Sequence, residues 1–199
     1  MSKTNQQSEI LLTTETTETT ETTSTTQTTE TTPTTETTLT TQTTPLTKQP
    51  NSRDCFVCGV ENDHGLHLEF YETESGEVVV DYVVPDHFQG YHGMVHGGIV
   101  ASLVDEVLGR VHMGGPEETR FMYTAKLSVK YRHPVPTGKP IKIVGHAQNS
   151  KRRMATSTAE IYGPDGKLLV EAEALLIDVP PEMLKDVDLE EMGWKVYPD

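Results

Sequence analysis

The sequence predicts an α+β domain, with one antiparallel sheet wrapped around one central helix, preceded by a Thr-rich tail. Three observations carry that expectation. Strand patterns surround a single helical pattern, in the order two strands, one helix, four strands. The helical stretch, Ile99 to Val111, is apolar over most of its circumference, with Asp105 and Glu106 as the charges in its middle. Composition breaks sharply near residue 50, so the apolar residues needed for a core all lie beyond it.

The tail comes first. From Glu15 to Pro45 every third residue differs from Thr and the two between are Thr. Such a run buries almost nothing and cannot offset the entropy of ordering. It also explains why hydrophobic content is only 34% in a chain of 199 residues. Residues 1–50 are therefore expected to be a disordered tail, 51–180 a domain, and 181–199 an acidic C-terminal extension. Thr/Pro repeats of this kind suit O-glycosylation outside a cell, and the plainer reading is a solubilising segment. No run approaches the roughly 18 apolar residues of a membrane span. Ile10, Leu11 and Leu12 are too short a core for a secretory leader. A cytoplasmic protein is expected by default.

Within the domain, Leu66 to Glu72 alternates as a strand does. Glu77 to Val84 is Val-rich and stops at Pro85, a second strand. Gly90 to Gly98 has no period and reads as a loop. Ile99, Val100, Leu103, Val104, Val107, Leu108 and Val111 then recur at helical spacing. Four strands follow. Phe121 to Arg132 sets Leu127, Val129 and Tyr131 on one face and Lys126, Ser128 and Lys130 on the other, and Pro134 and Pro136 end it. Ile141 to Gln148 and Met154 to Tyr162 are next. The turn signal Gly163-Pro164-Asp165-Gly166 precedes Lys167 to Asp178. A short helix is expected over Pro181–Met192. A helix so apolar has no second layer to cover its far side within one chain, which points to a second protomer.

The net charge of −14 argues against a nucleic-acid partner, which needs basic surface to neutralise phosphates. A local basic cluster can still meet a small anion. Lys151-Arg152-Arg153 is the triple basic run, placed at a strand-to-strand turn, and it is read as phosphate-binding or as a solvated turn. Cys55 and Cys58 form a CxxC, followed by His64 and His67. Three readings stand: a zinc site, a redox pair, or two buried thiols where the chain enters the fold. The gap between the pairs is too short for an ordinary zinc finger, so neither metal ligands nor cofactors are assigned.

The chemistry concentrates in Phe88-Gln89-Gly90-Tyr91-His92-Gly93-Met94-Val95-His96-Gly97-Gly98 and in the acid Asp105, nine residues after His96. The strand Thr124-Ala-Lys-Leu-Ser-Val-Lys-Tyr-Arg-His-Pro-Val completes the pattern. Over roughly Cys55 to Asp178 the chain resembles the hotdog-fold thioesterases, in particular the phenylacetate-type (PaaI-like) branch. The resemblance implies a hotdog fold, hydrolysis of acyl-CoA to free acid and CoA, and a homodimer or homotetramer.

The residues support the same chemistry on their own. Gly97 and Gly98 open a helix, where unpaired N–H groups and the helix dipole face outward, and glycine lets a ligand approach closely. Such an end can polarise a thioester carbonyl and hold the developing oxyanion. His96 either orients the loop or carbonyl or is a satisfied imidazole. A carboxylate amid an apolar helix is costly without a purpose or partner, which selects Asp105 as general base or nucleophile. Glu106 lies about 100° further round and is the alternative. Gly97 and Asp105 are about 12 Å apart along the helix axis. One thioester carbon cannot touch both, so two antiparallel helices related by a two-fold axis would pair Gly97 of one chain with Asp105 of the other. The resemblance implies the same shared site. It also gives Thr124 the role of holding the water or the acid, and Gln89 that of positioning water. Gly90 stands where some relatives carry Asn, six residues before the motif His. The competing readings are a non-catalytic acyl-CoA-binding or regulatory hotdog protein, a hotdog dehydratase, and a zinc-binding interaction module. A dehydratase would need a His five residues beyond Asp105, where this chain has Arg110.

Overall fold

The computed structural model describes residues 46–115 and 119–198. The repetitive run from Glu15 to Pro45, and the disordered tail expected there, lie outside the described residues. Among the described residues there are nine strands: β1 (Thr47–Lys48), β2 (Tyr71–Glu72), β3 (Val78–Val83), β4 (Gln89–Tyr91), β5 (Met94–Val95), β6 (Met122–Tyr131), β7 (Pro140–Lys151), β8 (Met154–Tyr162) and β9 (Leu168–Asp178). Helix α1 covers Gly97–Arg110 and α2 covers Pro181–Leu184. Seven strands make one antiparallel sheet in the order β1-β2-β3-β7-β8-β9-β6, and β4 and β5 form a small hairpin of their own. The sheet wraps α1, as the order of sequence patterns predicts.

The core lies between the sheet's inner face and α1. Val78 and Val80 of β3, Ile141 and Ile143 of β7, Ala155, Ala159 and Ile161 of β8, and Val170, Ala172, Ala174 and Leu176 of β9 alternate inward. They meet Val100, Leu103, Val104, Val107 and Leu108 of α1. Small residues on the sheet let the helix come close. A Cβ on Gly145 would lie 2.5 Å from Val107 Cγ1 and 2.9 Å from Val111 Cγ1. The helix is not apolar all round. Its other side carries Gly97, Gly98, Ala101, Ser102 and Asp105, small or polar residues that the sheet does not cover.

Several elements differ from the sequence expectation. Leu66 to Phe70 is buried at alternate positions, but of the predicted strand only Tyr71–Glu72 is regular strand; the Leu66 and Leu68 N–H groups donate to Phe56 O and Val57 O, and Phe70 O accepts from Gln49 N–H. The predicted loop from Gly90 contains the β4–β5 hairpin. The expected helix over Pro181–Met192 stops after one turn at Leu184, and further along the Asp188 carboxylate accepts the Glu190 and Glu191 N–H groups in a separate turn. Thr47 and Lys48, read with the tail, form the sheet-edge strand β1. The C-terminal stretch folds back over the domain. Lys195 pairs with Asn51, and the Trp194 ring lies 5.3 Å from the Arg110 guanidinium. Arg110 is 1% exposed and stacks 4.0 Å from the Phe70 ring. Among the described residues no helix is long and apolar enough to cross a membrane.

Candidate active site

Helix α1 begins with an ordered cap. His96 is its N-cap, and His96 Nδ1 accepts the Gly98 N–H at 3.0 Å. As an acceptor Nδ1 carries no hydrogen, which leaves Nε2–H free to donate. The Gly98 amide, expected to face substrate, is thus engaged by its own cap. Gly97 supplies the remaining N–H of this pair, since the first amides of a helix have no intrahelical acceptor. Tyr131, at the end of β6, donates to Gly97 O at 2.8 Å and pins the helix start to the sheet. Alternation groups Tyr131 with Leu127 and Val129 on one face of β6, but the contact with Gly97 has no signal in the sequence. A Cβ on Gly97 would make only ordinary van der Waals contact with the Tyr131 ring, its nearest atom Oη at 3.8 Å. A groove of 300 Å³ adjoins it, lined among others by Val100, Tyr131, Pro134 and Val135.

Gln89 sits on the hairpin before the helix. Its Oε1 accepts the Gly93 N–H at 3.3 Å across a turn in which Gly93 has φ 73°. Gln89 therefore shapes the loop that delivers His96, and its strand β4 is exposed. Gly90 backs onto His96, where a Cβ would lie 3.2 Å from His96 Cα.

Two turns along α1, Asp105 Oδ1 accepts a hydrogen bond from Thr124 Oγ1 at 2.7 Å. The structure thus brings together two residues that the sequence singled out separately. A β-bulge makes the meeting possible. The β6–β9 register slips between Thr124 and Lys126, leaving Ala125 without a partner. Strict alternation would group Thr124 with Lys126 on the outer face. The extra residue turns Thr124 inward, opposite buried Leu176. Ala101, Ser102, Asp105, Thr124 and Leu127 line an open groove of 370 Å³ at this point.

Glu106 is not brought to that groove. Its Oε1 accepts from Arg110 Nε at 3.0 Å on the opposite side of the helix. There its carboxylate, Cys55 Sγ and Cys58 Sγ all lie within 4.8 Å of one another. His64 and His67 are not part of that group. Both cysteines are free. The hydrogen bond from Cys58 lowers the Cys55 thiol to about 6 against the opposing effect of burial. The same bond, with burial, pushes the Cys58 thiol well above its usual range.

Lys151, Arg152 and Arg153 form the exposed β7–β8 turn, with Arg152 at φ 51°. Arg120 braces this turn through Ser150 Oγ at 2.7 Å, Arg152 O at 3.1 Å and Asp178 Oδ1 at 2.7 Å. Ser150, Ala155, Leu176 and Thr124 lie in one row across four strands. At about 4.8 Å per strand the basic turn begins about 15 Å from the Thr124–Asp105 pair.

Comparison with known proteins identifies this architecture. Residues 92–170 match the family model described as Thioesterase superfamily. The mouse acyl-coenzyme A thioesterase THEM4 is 31% identical over 124 residues, covering 60% of this chain and 52% of its own. A putative esterase of Caenorhabditis elegans is 28% identical over 110 residues, 55% of this chain and 64% of its own. This chain spans about half the length of the THEM4 relatives it matches. Among solved structures, the thioesterase superfamily protein RHA08564 superposes with a TM-score of 0.57 at 30% identity over 63% of each chain. A Streptococcus pneumoniae thioesterase solved with coenzyme A has a TM-score of 0.51 at 21% identity, covering 56% of this chain and 85% of its own. Escherichia coli PaaI shares the fold with a TM-score of 0.52 at 15% identity, over 58% of this chain and 81% of its own. The sheet wrapped on α1 has the hotdog fold, and the segment that carries His96-Gly97-Gly98 at the helix start and the Asp105–Thr124 pair beyond it is similar to the thioesterase superfamily.

Proposed function

We propose that this domain hydrolyses acyl-CoA thioesters to free acid and CoA, as a homodimer or homotetramer with active sites shared between protomers. The observation that carries the reading is the Asp105–Thr124 hydrogen bond of 2.7 Å on the uncovered side of α1. The hydroxyl donates to one oxygen of the carboxylate and leaves the other directed at a water or a carbonyl carbon. Asp105 then acts as general base or nucleophile. The Gly97 N–H polarises the thioester carbonyl and binds the oxyanion, while the Gly98 N–H holds His96 in place. His96 Nε2–H offers a further donor, and Gln89 sets the loop and positions water.

Two protomers are needed because Gly97 and Asp105 are about 12 Å apart on one helix. The small face of α1 and the free edge of β6 lie next to each other and support assembly there. β6 is ten residues long and has a neighbour on one side only, and a long unpaired edge invites a second chain. Lys151, Arg152 and Arg153, exposed at the β7–β8 turn, would meet the phosphates of CoA. The CoA-bound Streptococcus pneumoniae relative and the named THEM4 thioesterases support this substrate class. Two free thiols and a CoA substrate fit a cytoplasmic protein. The 1–50 tail and 181–199 extension complete the proposed organisation around the 51–180 domain.

An acyl-CoA panel with a thiol reagent tests the reading. Wild type releases CoA, and folded Asp105→Asn does not. Tight acyl-CoA binding without CoA release by wild type would instead establish the non-catalytic reading.

A further inference from the structure

The cluster of Cys55, Cys58 and Glu106 lies outside the groove of Asp105 and Thr124 and is not used in the mechanism proposed above. Its donor atoms, two sulfurs and a carboxylate oxygen, lie within 4.8 Å of one another. Ligands of a tetrahedral ion with bonds of about 2.3 Å to sulfur and 2.1 Å to oxygen sit roughly 3.5–3.8 Å apart. Small side-chain adjustments close the group on one ion.

The surroundings match what such ligands need. Val57 N–H and Cys58 N–H point at Cys55 Sγ at 3.3 and 3.5 Å, and Ser52 Oγ lies 3.6 Å from Cys58 Sγ. Arg110 Nε holds the Glu106 carboxylate from outside, as outer partners orient ligating carboxylates. The turn that sets both sulfurs on one side requires Gly59. A Cβ there would lie 2.2 Å from Cys55 O and 2.6 Å from Cys55 N. Two thiolates and one carboxylate beside one guanidinium leave a net charge of −2, which a divalent cation neutralises.

We propose that Cys55, Cys58 and Glu106 form a binding site for a thiophilic divalent cation of the zinc class. Two sulfur ligands select zinc-like ions over magnesium or calcium. The fourth position is left to water, since Cys55 is half-buried and the Glu106 side chain keeps 24% of its exposure. The bound ion fastens the segment before β2 to α1 at the residue beside Asp105.

The test uses the full chain, reduced and stripped with a chelator, then titrated with Co²⁺. One equivalent is expected to bind, with a thiolate-to-cobalt charge-transfer band and the visible bands of a tetrahedral ion. Zn²⁺ is expected to displace it, raise Tm and protect both cysteines of the folded wild type from alkylation. Cys55→Ser is expected to abolish the charge-transfer band at one equivalent. Glu106→Gln is expected to weaken Co²⁺ binding at least tenfold. Absence of the charge-transfer band in reduced wild type overturns the site. So does a Cys55–Cys58 disulfide forming readily in a protein whose reduced form takes up no Co²⁺, which would assign a redox pair instead. Wild-type Co²⁺ affinity in Glu106→Gln overturns the three-donor assignment.

Discussion

Asp105 and Glu106 occupy consecutive positions on α1, yet they belong to different worlds of the fold. Asp105 meets the Thr124 hydroxyl at 2.7 Å beside an open groove, and Glu106 meets the buried Arg110 guanidinium at 3.0 Å. One step along a helix rotates a side chain by about 100°, enough to pass from one environment to the other. The uncovered side keeps small residues, so a carboxylate there stays accessible to a ligand. The buried side fills with Phe70, Trp194 and Arg110, so a carboxylate there is held by structure. Two like residues thus separate into a candidate reactive group and a structural one by rotation alone.

The largest expected effect tests the first half of this contrast. Asp105→Asn should lower kcat about 10²–10⁴-fold, the usual worth of a positioned acid–base group, while its melting temperature stays near wild type. A variant retaining wild-type kcat would remove Asp105 from the chemistry. Next comes the second half. Arg110→Met leaves Glu106 without its partner and Pro50 O without its donor. A loss of about 3–5 kcal/mol is expected in urea unfolding, in line with breaking a buried ion pair. An unfolding midpoint equal to wild type would show that the guanidinium is dispensable.

Thr124→Val is expected to be milder. It removes one hydrogen bond to a charged group, worth about 1.5–3 kcal/mol, so kcat/KM should fall about tenfold to a hundredfold with a normal circular dichroism spectrum. An unchanged kcat/KM would make the Thr124 hydroxyl a bystander. Gly97→Ala should change stability by less than about 0.5 kcal/mol, because the new methyl has its nearest neighbour 3.8 Å away. Its effect should appear as a raised KM for acyl-CoA, since the methyl enters the space before the helix. An unchanged KM for acyl-CoA in the folded variant would reverse that assignment.

The frame of the domain was readable in the sequence. The α1 pattern, the Val-rich β3 and the alternation of β6 to β9 each name their element, because burial on one face imposes a period. So was Asp105, whose charge stands out on an apolar helix. The placement of Thr124 was not readable from alternation, which groups it with Lys126 outside. The bulge at Ala125 depends on how β6 pairs with β9, a non-local match. The engagement of the Gly98 amide by His96 was hidden for a related reason, since a cap depends on one side-chain rotamer. Arg110 was passed over because its partners, Pro50, Phe70 and Trp194, come from both ends of the domain. The family resemblance supplied Thr124 and Gln89 where residue patterns alone did not.

The roof over Arg110 carries a consequence for biosynthesis. Trp194 and the Asn51–Lys195 pairing join residues at opposite extremes of the domain, and loop closure over such a span comes late. On the ribosome, the sheet and α1 can assemble while the guanidinium still lacks its indole cover. The cover over the guanidinium closes only once Trp194 and Lys195 are in place.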